Sequence, residues 1–463
     1  MNDKVTTISP IDGRVYVERP FADQTAIAEA LYLGKRAQQH WCRVPLAERA
    51  ALCNRAVDAF VANKAAIAEE ISWMMGRPIR YAGGEVDGLA ERARYMIGVA
   101  EEALAPVRLP EKPGFERYIK REALGLVLVV APWNFPYLTA INAVMPAIMA
   151  GNTVILKHSA QTPLCAERLR DAFDAAGLPK GVFQYLHLSH PDTGALIQAP
   201  EVDYVAFTGS VAGGAAVEQA AAGRFIGVGL ELGGKDPAYV RADADIEQAV
   251  DTAIDGAFFN SGQSCCGIER IYVHADVYDS FVAKAVALVK GYRLGRSDDP
   301  ETTLGPLVRA GAADFVRGQI AEAVALGATA HINPADFPLD KPGTPYLAPQ
   351  VLTGVNHGMR VMTEESFGPV VGIQKVRSDE EAIALMNDSD FGLTAAIFTR
   401  DVATGVALGE QLHTGTFFIN RCDYLDPALA WSGVKQSGRG CTLSKLGYES
   451  LTRPKSFHIK LPS

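Results

Sequence analysis

The sequence predicts an α/β fold with two doubly wound parallel-sheet domains and a small additional β element. From residue 124 onward, short runs of Val, Ile and Leu alternate with segments of helical periodicity. That pattern is typical of parallel strands joined by crossover helices. After residue 245 a second run of the same alternation begins, which indicates a second sheet. Such sheets bind ligands at the carboxyl ends of their strands, so the fold itself allows a nucleotide site there.

The composition is typical of a globular protein of several domains. The 463 residues are 48% hydrophobic and 21% charged, enough for a substantial core and two or three domains. A net charge of -9 argues against nucleic acid or an anionic membrane as partner. The seven cysteines are scattered without CxxC or CxxH spacing, which favours reduced thiols and no metal site. We therefore expect a cytoplasmic metabolic protein with no signal peptide and no membrane span.

A helical layer is predicted for residues 1 to about 115, after a turn at Asp12-Gly13. Its Ala-rich segments repeat apolar residues at helical spacing. Helices are expected at residues 23–40, 46–70 and 85–105.

The first sheet is predicted from residue 124. The run 124–133 (LGLVLVVAPW) is continuously apolar up to its proline, as expected of a strand buried on both faces. Further strands are expected at 152–157, 182–186, 204–208 and 226–232, and helices at 138–149, 163–176, 193–198 and 211–222.

The second sheet follows a helix with one apolar face. Ile246, Val250, Ile254 and Phe258 recur every four residues along that helix. Strands are then expected at 269–273, 351–355, 370–376, 395–398 and 415–420, and helices at 277–292, 312–326 and 380–386. The closing segment 456–460 (SFHIK) alternates like an edge strand and is expected to pair outside its own domain.

The run 258–266 (FFNSGQSCC) places two adjacent thiols after a Gly-containing bend at the end of that helix. This arrangement indicates a sulfur nucleophile. Free cysteine has a pKa of ~8.5, so the thiol needs a helix terminus, a cation or a base to become reactive.

Six motifs occur in order along the chain: PWNFP at 132–136, Lys157 with QTP at 161–163, FTGS at 207–210 with Gly214, ELGGK at 231–235, GQSC at 262–265 and ESFGP at 365–369. Together they resemble the aldehyde dehydrogenase superfamily over nearly the whole chain. The resemblance implies NAD(P)-dependent, non-acylating oxidation of an aldehyde to its acid.

The resemblance also implies three catalytic residues. Cys265, the fourth residue of GQSC, is the expected nucleophile. The Asn134 amide and the Cys265 backbone N–H would stabilise the oxyanion, and Glu231 would activate water against the thioester. Relatives that pass the acyl group to coenzyme A lack a glutamate here, so water is the expected acceptor. Cys266 is expected to be a structural neighbour, with a regulatory vicinal disulfide as the alternative.

For the cofactor, Gly209 and Gly214 let the backbone and a helix N-terminus approach a pyrophosphate, and Ser210 adds a donor. NAD-preferring members commonly carry Glu three residues after the lysine, where this chain has Ala160. We therefore expect both NAD and NADP to be accepted, with Lys157 and Ser159 able to hold the additional phosphate. The resemblance adds further cofactor contacts at Trp133, Leu232, Glu365 and Phe367.

The resemblance implies a substrate pocket lined by aromatic, apolar and small polar residues: Phe135, Tyr137, Thr139, Asn142, Phe259, Ser264, Cys266, Tyr424, Leu425 and Trp431. Many succinic semialdehyde dehydrogenases carry Arg where this chain has Phe259. That difference favours an uncharged aliphatic or aromatic aldehyde. Arg421 keeps a semialdehyde open as an alternative.

The resemblance divides the chain into a cofactor-binding domain (1–114 and 124–232), a catalytic domain (233–442) and a bridging or oligomerisation element (115–123 and 443–463). That element implies a homodimer or a dimer of dimers. Two other functions stay open: a cofactor-free cysteine hydrolase using Cys265 and Glu231, and a catalytically silent structural protein.

Overall fold

A computed structural model describes residues 4–462. The chain begins with an antiparallel hairpin around the turn at Asp12-Gly13, followed by five helices. The bounds are β1 (Lys4–Ile8), β2 (Val15–Pro20), α1 (Gln24–Trp41), α2 (Leu46–Val61), α3 (Lys64–Met75), α4 (Ile79–Ala82) and α5 (Gly84–Leu104). The single helix predicted for 46–70 is wrong: α2 ends before Asn63, whose side chain donates to the Ala59 carbonyl. Asn favours such local hydrogen bonds over a helix interior.

The first sheet has six strands in the order β19-β9-β8-β5-β6-β7. All its pairs are parallel except β19 with β9, where Gly438 lies opposite Glu231. The bounds are β5 (Leu126–Ala131), α6 (Pro136–Met149), β6 (Thr153–His158), α7 (Leu164–Ala175), β7 (Phe183–Tyr185), α8 (His190–Gln198), β8 (Val202–Thr208), α9 (Val211–Ala221), β9 (Gly227–Glu231) and β19 (Gly438–Arg439). Every residue of β5 is buried, as its apolar run predicts.

The second sheet has seven strands in the order β12-β13-β14-β11-β10-β16-β17, with only β12 antiparallel to its neighbour. The bounds are β10 (Asp236–Val240), α10 (Ile246–Phe258), β11 (Ile268–His274), α11 (Tyr278–Lys290), α12 (Ala310–Ala325), β12 (Thr329–Ala330), β13 (Gln350–Thr353), α13 (Arg360–Thr363), β14 (Val370–Val376), α14 (Asp379–Asn387), β16 (Thr394–Phe398), α15 (Val402–Gly409) and β17 (Thr416–Ile419). β15 (Phe391–Gly392) and β18 (Val434–Lys435) form a separate antiparallel pair. The interior strand β10 was not predicted, because Pro237 argues against an interior strand. The pairing of β10 with β11 shifts register at that proline.

A third, three-stranded sheet joins distant parts of the chain. Its strands are β3 (Val107–Arg108), β4 (Phe115–Ala123) and β20 (Thr452–Lys460), in the order β20-β4-β3. β20 pairs antiparallel with β4 over its full length, with Thr452 opposite Ala123 and Lys460 opposite Phe115. The closing strand is thus longer than predicted and lies at a sheet edge. The domain bounds given above stay a prediction. Within residues 4–462, no helix is long and apolar enough to cross a bilayer.

Candidate active site

The cysteine loop is held in a strained conformation. After α10, a short 3-10 turn at Phe259–Gly262 leads to Cys265, and Asn260 and Ser261 both adopt positive φ, at 53° and 58°. A Cβ at Gly262 would overlap the Gly368 backbone, so this position requires glycine. Such strain persists only where surrounding contacts fix the backbone.

Side chains of the loop supply those contacts. Asn260 Nδ2 donates to the carbonyls of Asn134 and Gln263, both at 3.2 Å. Gln263 Nε2 donates to the Asn260 carbonyl at 3.1 Å, and its Oε1 accepts from the Val308 N–H at 2.8 Å. The amides at 260 and 263 therefore fix the backbone that presents Cys265.

Asn134 is joined to the same loop. It follows β5, is only 5% exposed, and its Nδ2 donates to the Gln263 carbonyl at 3.2 Å. Gln263 lies two residues before Cys265. Because an amide nitrogen carries two hydrogens, one remains available to an oxyanion.

A buried ion pair that was not predicted supports this arrangement. Arg77 and Glu85 are 2% and 1% exposed and pair with each other. Arg77 Nη2 donates to the Asn134 carbonyl at 2.6 Å and its Nε to Asn260 Oδ1 at 3.1 Å. Glu85 Oε1 accepts from the Tyr137 N–H at 2.9 Å and so caps the first turn of α6. The pair joins the predicted oxyanion asparagine to the cysteine loop.

Glu231 ends β9 and is held by two hydroxyl groups. Thr208 Oγ1 donates to its Oε2 at 2.9 Å and Thr442 Oγ1 to its Oε1 at 2.5 Å. Burial raises the pKa of Glu231, partly offset by these hydrogen bonds. A carboxylate whose pKa is raised toward neutrality is better suited to accept a proton.

A cavity of about 460 Å³ contains both Cys265 and Glu231. Leu232 and nine of the predicted pocket residues line it: Phe135, Thr139, Asn142, Phe259, Ser264, Cys266, Tyr424, Leu425 and Trp431. Tyr137 does not line this cavity. Its side chain is fully buried in the core, with its ring 4.9 Å from that of Phe60. The helical period explains the difference, because positions 138, 139 and 142 of α6 face the cavity while 137 points away.

The second thiol has a different environment from the first. A hydrogen bond with Cys265, followed by burial, raises the pKa of Cys266 well above its ordinary value. Cys266 Sγ donates to Asp423 Oδ1 at 3.0 Å, and Ser264 Oγ donates to the same oxygen at 3.1 Å. Burial raises the pKa of Asp423 to about 7. Cys266 therefore remains a protonated thiol beside Cys265. Asp423 was not predicted, since nothing in its local sequence indicates the contact.

The predicted cofactor residues lie along the carboxyl edge of the first sheet. Ser210 caps α9, its Oγ accepting from the Gly213 N–H at 3.1 Å, and the Gly209 N–H donates to the Glu231 carbonyl at 3.0 Å. A Cβ at Gly214 would lie 2.7 Å from a Leu232 methyl, so glycine is needed where α9 packs on the sheet.

The ELGGK and ESFGP segments meet at this edge. Glu365 Oε1 accepts from the Gly234 N–H at 2.9 Å, and burial raises the pKa of Glu365 to about 7. A Cβ at Gly233 would lie 2.6 Å from the same oxygen. The Trp133 and Phe367 rings pack edge to face at 5.7 Å.

Lys157 lies near the end of β6, is 7% exposed, and has its pKa lowered by burial. Both ring nitrogens of its neighbour His158 form hydrogen bonds, Nε2 with the Pro136 carbonyl at 3.0 Å and Nδ1 with Thr162 Oγ1 at 3.1 Å. Burial lowers the pKa of His158 to about 4, so it is neutral near pH 7. Lys157 and the partly buried Ser159 thus remain the phosphate-binding candidates, and Ala160 beside them is exposed.

Comparisons with known proteins agree over the whole chain. A model of the aldehyde dehydrogenase family matches residues 1–457. The succinate-semialdehyde dehydrogenase [NADP(+)] of Mycobacterium avium is 34% identical over 458 residues, covering 98% of this chain and 96% of that protein. The crystal structure of succinic semialdehyde dehydrogenase from Streptococcus pyogenes with NADP+ superposes with a TM-score of 0.94, at 31% identity over 98% of this chain and 100% of that chain. PnpE from Pseudomonas sp. WBC-3 gives a TM-score of 0.94, at 31% identity over 99% of this chain and 95% of that chain.

Proposed function

The chain belongs to the aldehyde dehydrogenase family, and we propose that Cys265, Glu231 and Asn134 carry out its oxidation of an aldehyde to the carboxylic acid. One observation carries this assignment: the partly exposed Cys265 shares a cavity with Glu231, while Asn134 is hydrogen-bonded to the cysteine loop. A nucleophile, a base and an oxyanion donor are the groups that the reaction needs.

In the first step, the Cys265 thiolate adds to the aldehyde carbonyl and forms a thiohemiacetal. The Asn134 amide and the Cys265 N–H stabilise the oxyanion, and loss of one such donor costs about 3–4 kcal/mol. When bound, a nicotinamide cofactor would supply the hydride acceptor. Loss of hydride leaves a thioester on Cys265.

Glu231 then accepts a proton from a water molecule, and that water attacks the thioester and releases the acid. Thr208 and Thr442 orient the carboxylate. The base is active only when deprotonated, and burial raises its pKa. Thioester hydrolysis is therefore expected to proceed above the raised pKa of Glu231 and to slow as the pH falls through it.

The residues at the carboxyl edge fit a dinucleotide. The N-terminus of α9 with Ser210 and Gly214 offers backbone donors to a pyrophosphate, and Lys157 offers a cation. Trp133 and Glu365 would be among the contacts to the adenosine and the nicotinamide ribose, as the family resemblance implies. The Mycobacterium avium relative is named for NADP(+), and PnpE has been crystallised with nicotinamide adenine dinucleotide.

We expect both cofactors to be used, with NADP at least competitive, because no carboxylate at position 160 repels a 2′-phosphate. In Ala160→Glu, kcat/KM with NADP should fall at least about tenfold while that with NAD is retained, since a like charge would face the phosphate. The Ala160 side chain is exposed, so Glu fits without disturbing the core. Steady-state kinetics with both cofactors measures this ratio. A wild-type preference for NAD above about a hundredfold, or about 2.7 kcal/mol, would contradict the assignment.

We also propose that the chain works as a homodimer or a dimer of dimers in the cytoplasm. Among the described residues, β20 pairs only on its β4 side, which leaves its outer edge open to a strand from a second copy. All seven cysteines are free thiols, consistent with a reducing compartment. Mass photometry should show a dimer or a tetramer. His458→Pro, which removes a backbone N–H from the open edge of β20, should convert it to a monomer. A monomeric wild-type protein would exclude the assembly.

A further inference from the structure

Arg92 of α5 lies in the wall of the cavity that contains Cys265. It is only 8% exposed. Its Nη1 donates to the Leu138 carbonyl at 2.9 Å and to Asn142 Oδ1 at 3.3 Å, so one edge of the guanidinium is anchored to α6. The anchored group is well placed to meet a molecule in the cavity.

The rest of the guanidinium lacks partners. Among residues 4–462, no carboxylate lies within ion-pairing distance of Arg92, and no hydrogen bond to its Nε or Nη2 is formed. Arg77, the other buried arginine near the site, is fully occupied by Glu85, Asn134 and Asn260. Burial lowers the pKa of Arg92, yet a guanidinium stays charged. A buried cation without a close counter-ion is costly, which points to a ligand that completes it.

Five carboxyl groups line the cavity. Asp255 is exposed to solvent, and the other four have hydrogen-bond or ion-pair partners. Asp87 pairs with Lys64 at 2.6 Å and Glu91 accepts from the Tyr424 hydroxyl at 3.1 Å, both at exposed positions where solvent screens their charge. Asp423 accepts from Cys266 and Ser264. Glu231 is hydrogen-bonded by two threonines. Among the described residues that line the cavity, Arg92 is therefore the cation that remains open to an anionic ligand.

We propose that Arg92 binds a carboxylate at the far end of the aldehyde substrate, so that the enzyme selects a short-chain semialdehyde. A guanidinium presents paired N–H donors that match the two oxygens of a carboxylate. The role rests on the proposed function, since it requires the aldehyde end to be at Cys265. The sequence-based preference for an uncharged aldehyde depended on Phe259, and the semialdehyde alternative on Arg421, because nothing in the sequence places Arg92 in the pocket.

The test compares succinate semialdehyde with its uncharged amide analogue in the wild-type enzyme and in Arg92→Gln. We expect kcat/KM for the carboxylated aldehyde to fall at least about a hundredfold in the variant, and that for the amide to change less than about threefold. Arg92→Lys, which keeps a positive charge without the paired donors, should recover part of the loss. Arg94→Gln is the matched control, since Arg94 lies on the same helix, is 46% exposed and pairs with Asp58.

Each other outcome overturns the proposal. If both aldehydes lose activity equally, Arg92 acts through Glu231 or the fold and does not bind the substrate carboxylate. If the wild-type enzyme prefers the amide, the cavity does not select an anion, although the proposed function stands. If the wild-type enzyme oxidises neither these aldehydes nor other aldehydes, the proposed function itself fails.

A second measurement covers the case in which Arg92→Gln does not fold. In the wild-type enzyme, butyrate should inhibit oxidation of an uncharged aldehyde at least about tenfold more strongly than butanamide, because only butyrate carries the charge that Arg92 would bind. Equal inhibition by the two compounds would overturn the proposal without any variant.

Discussion

Cys265→Ala should lower aldehyde-dependent reduction of the nicotinamide cofactor at least about 10⁴-fold, which equals about 5.4 kcal/mol. Without the sulfur, neither the thiohemiacetal nor the thioester can form. Cys266 cannot replace it. Its hydrogen bond with Cys265 is lost in this variant, but burial and the nearby Asp423 still raise the pKa of Cys266. Absorbance of the reduced cofactor under saturating aldehyde measures the loss.

The exposed thiol Cys42 provides the matched control. Cys42→Ala should keep the wild-type rate, and Cys265→Ala should keep its thermal stability and its affinity for NADP. A Cys265→Ala protein that still reduces the cofactor at the wild-type rate would rule out covalent catalysis at this position.

Glu231→Gln should release one equivalent of reduced cofactor per active site in a rapid burst and then turn over about 10³-fold more slowly. The amide keeps the size of the side chain and can still bond to Thr208 and Thr442, but it cannot accept a proton from water. Hydride transfer precedes that proton transfer, so the first turnover survives. Stopped-flow absorbance resolves the burst from the steady state.

Glu449→Gln is the matched control, because it removes an exposed carboxylate that pairs with Arg121. This variant should keep the wild-type time course of cofactor reduction. The wild-type steady rate should fall as the pH drops through the raised pKa of Glu231, and the variant should lose this dependence. Steady turnover of Glu231→Gln at the wild-type rate would mean that another group activates the water.

The sequence predicts those parts of the fold that depend on local patterns. The apolar run of β5 and the four-residue apolar period of α10 predict which residues are buried. They can do so because the apolar residues that form the buried face lie within the strand or helix itself. β10 was missed because Pro237 is an unfavourable strand residue that the register shift accommodates. The hairpin of β1 and β2 was missed because its polar, partly exposed strands carry little apolar signal.

The site residues also divide into those that a local sequence pattern predicts and those that it does not. Cys265, Glu231 and Asn134 lie in short motifs that resemble a known family. Arg77, Arg92 and Asp423 do not, and their positions depend on contacts with residues far away in the chain. The family resemblance implied that Tyr137 lines the pocket, but the helical turn directs its side chain into the core. Contacts between distant segments have no local signal from which to predict them.

Mass spectrometry of Glu231→Gln, quenched in acid after one turnover, tests the covalent role of Cys265 most directly. We expect the protein to gain the mass of the acyl group, and fragmentation of the peptide that contains both thiols to place it on Cys265. The double variant with Cys265→Ala should show no added mass. An acyl group on Cys266, or reduced cofactor formed without any protein adduct, would contradict the mechanism.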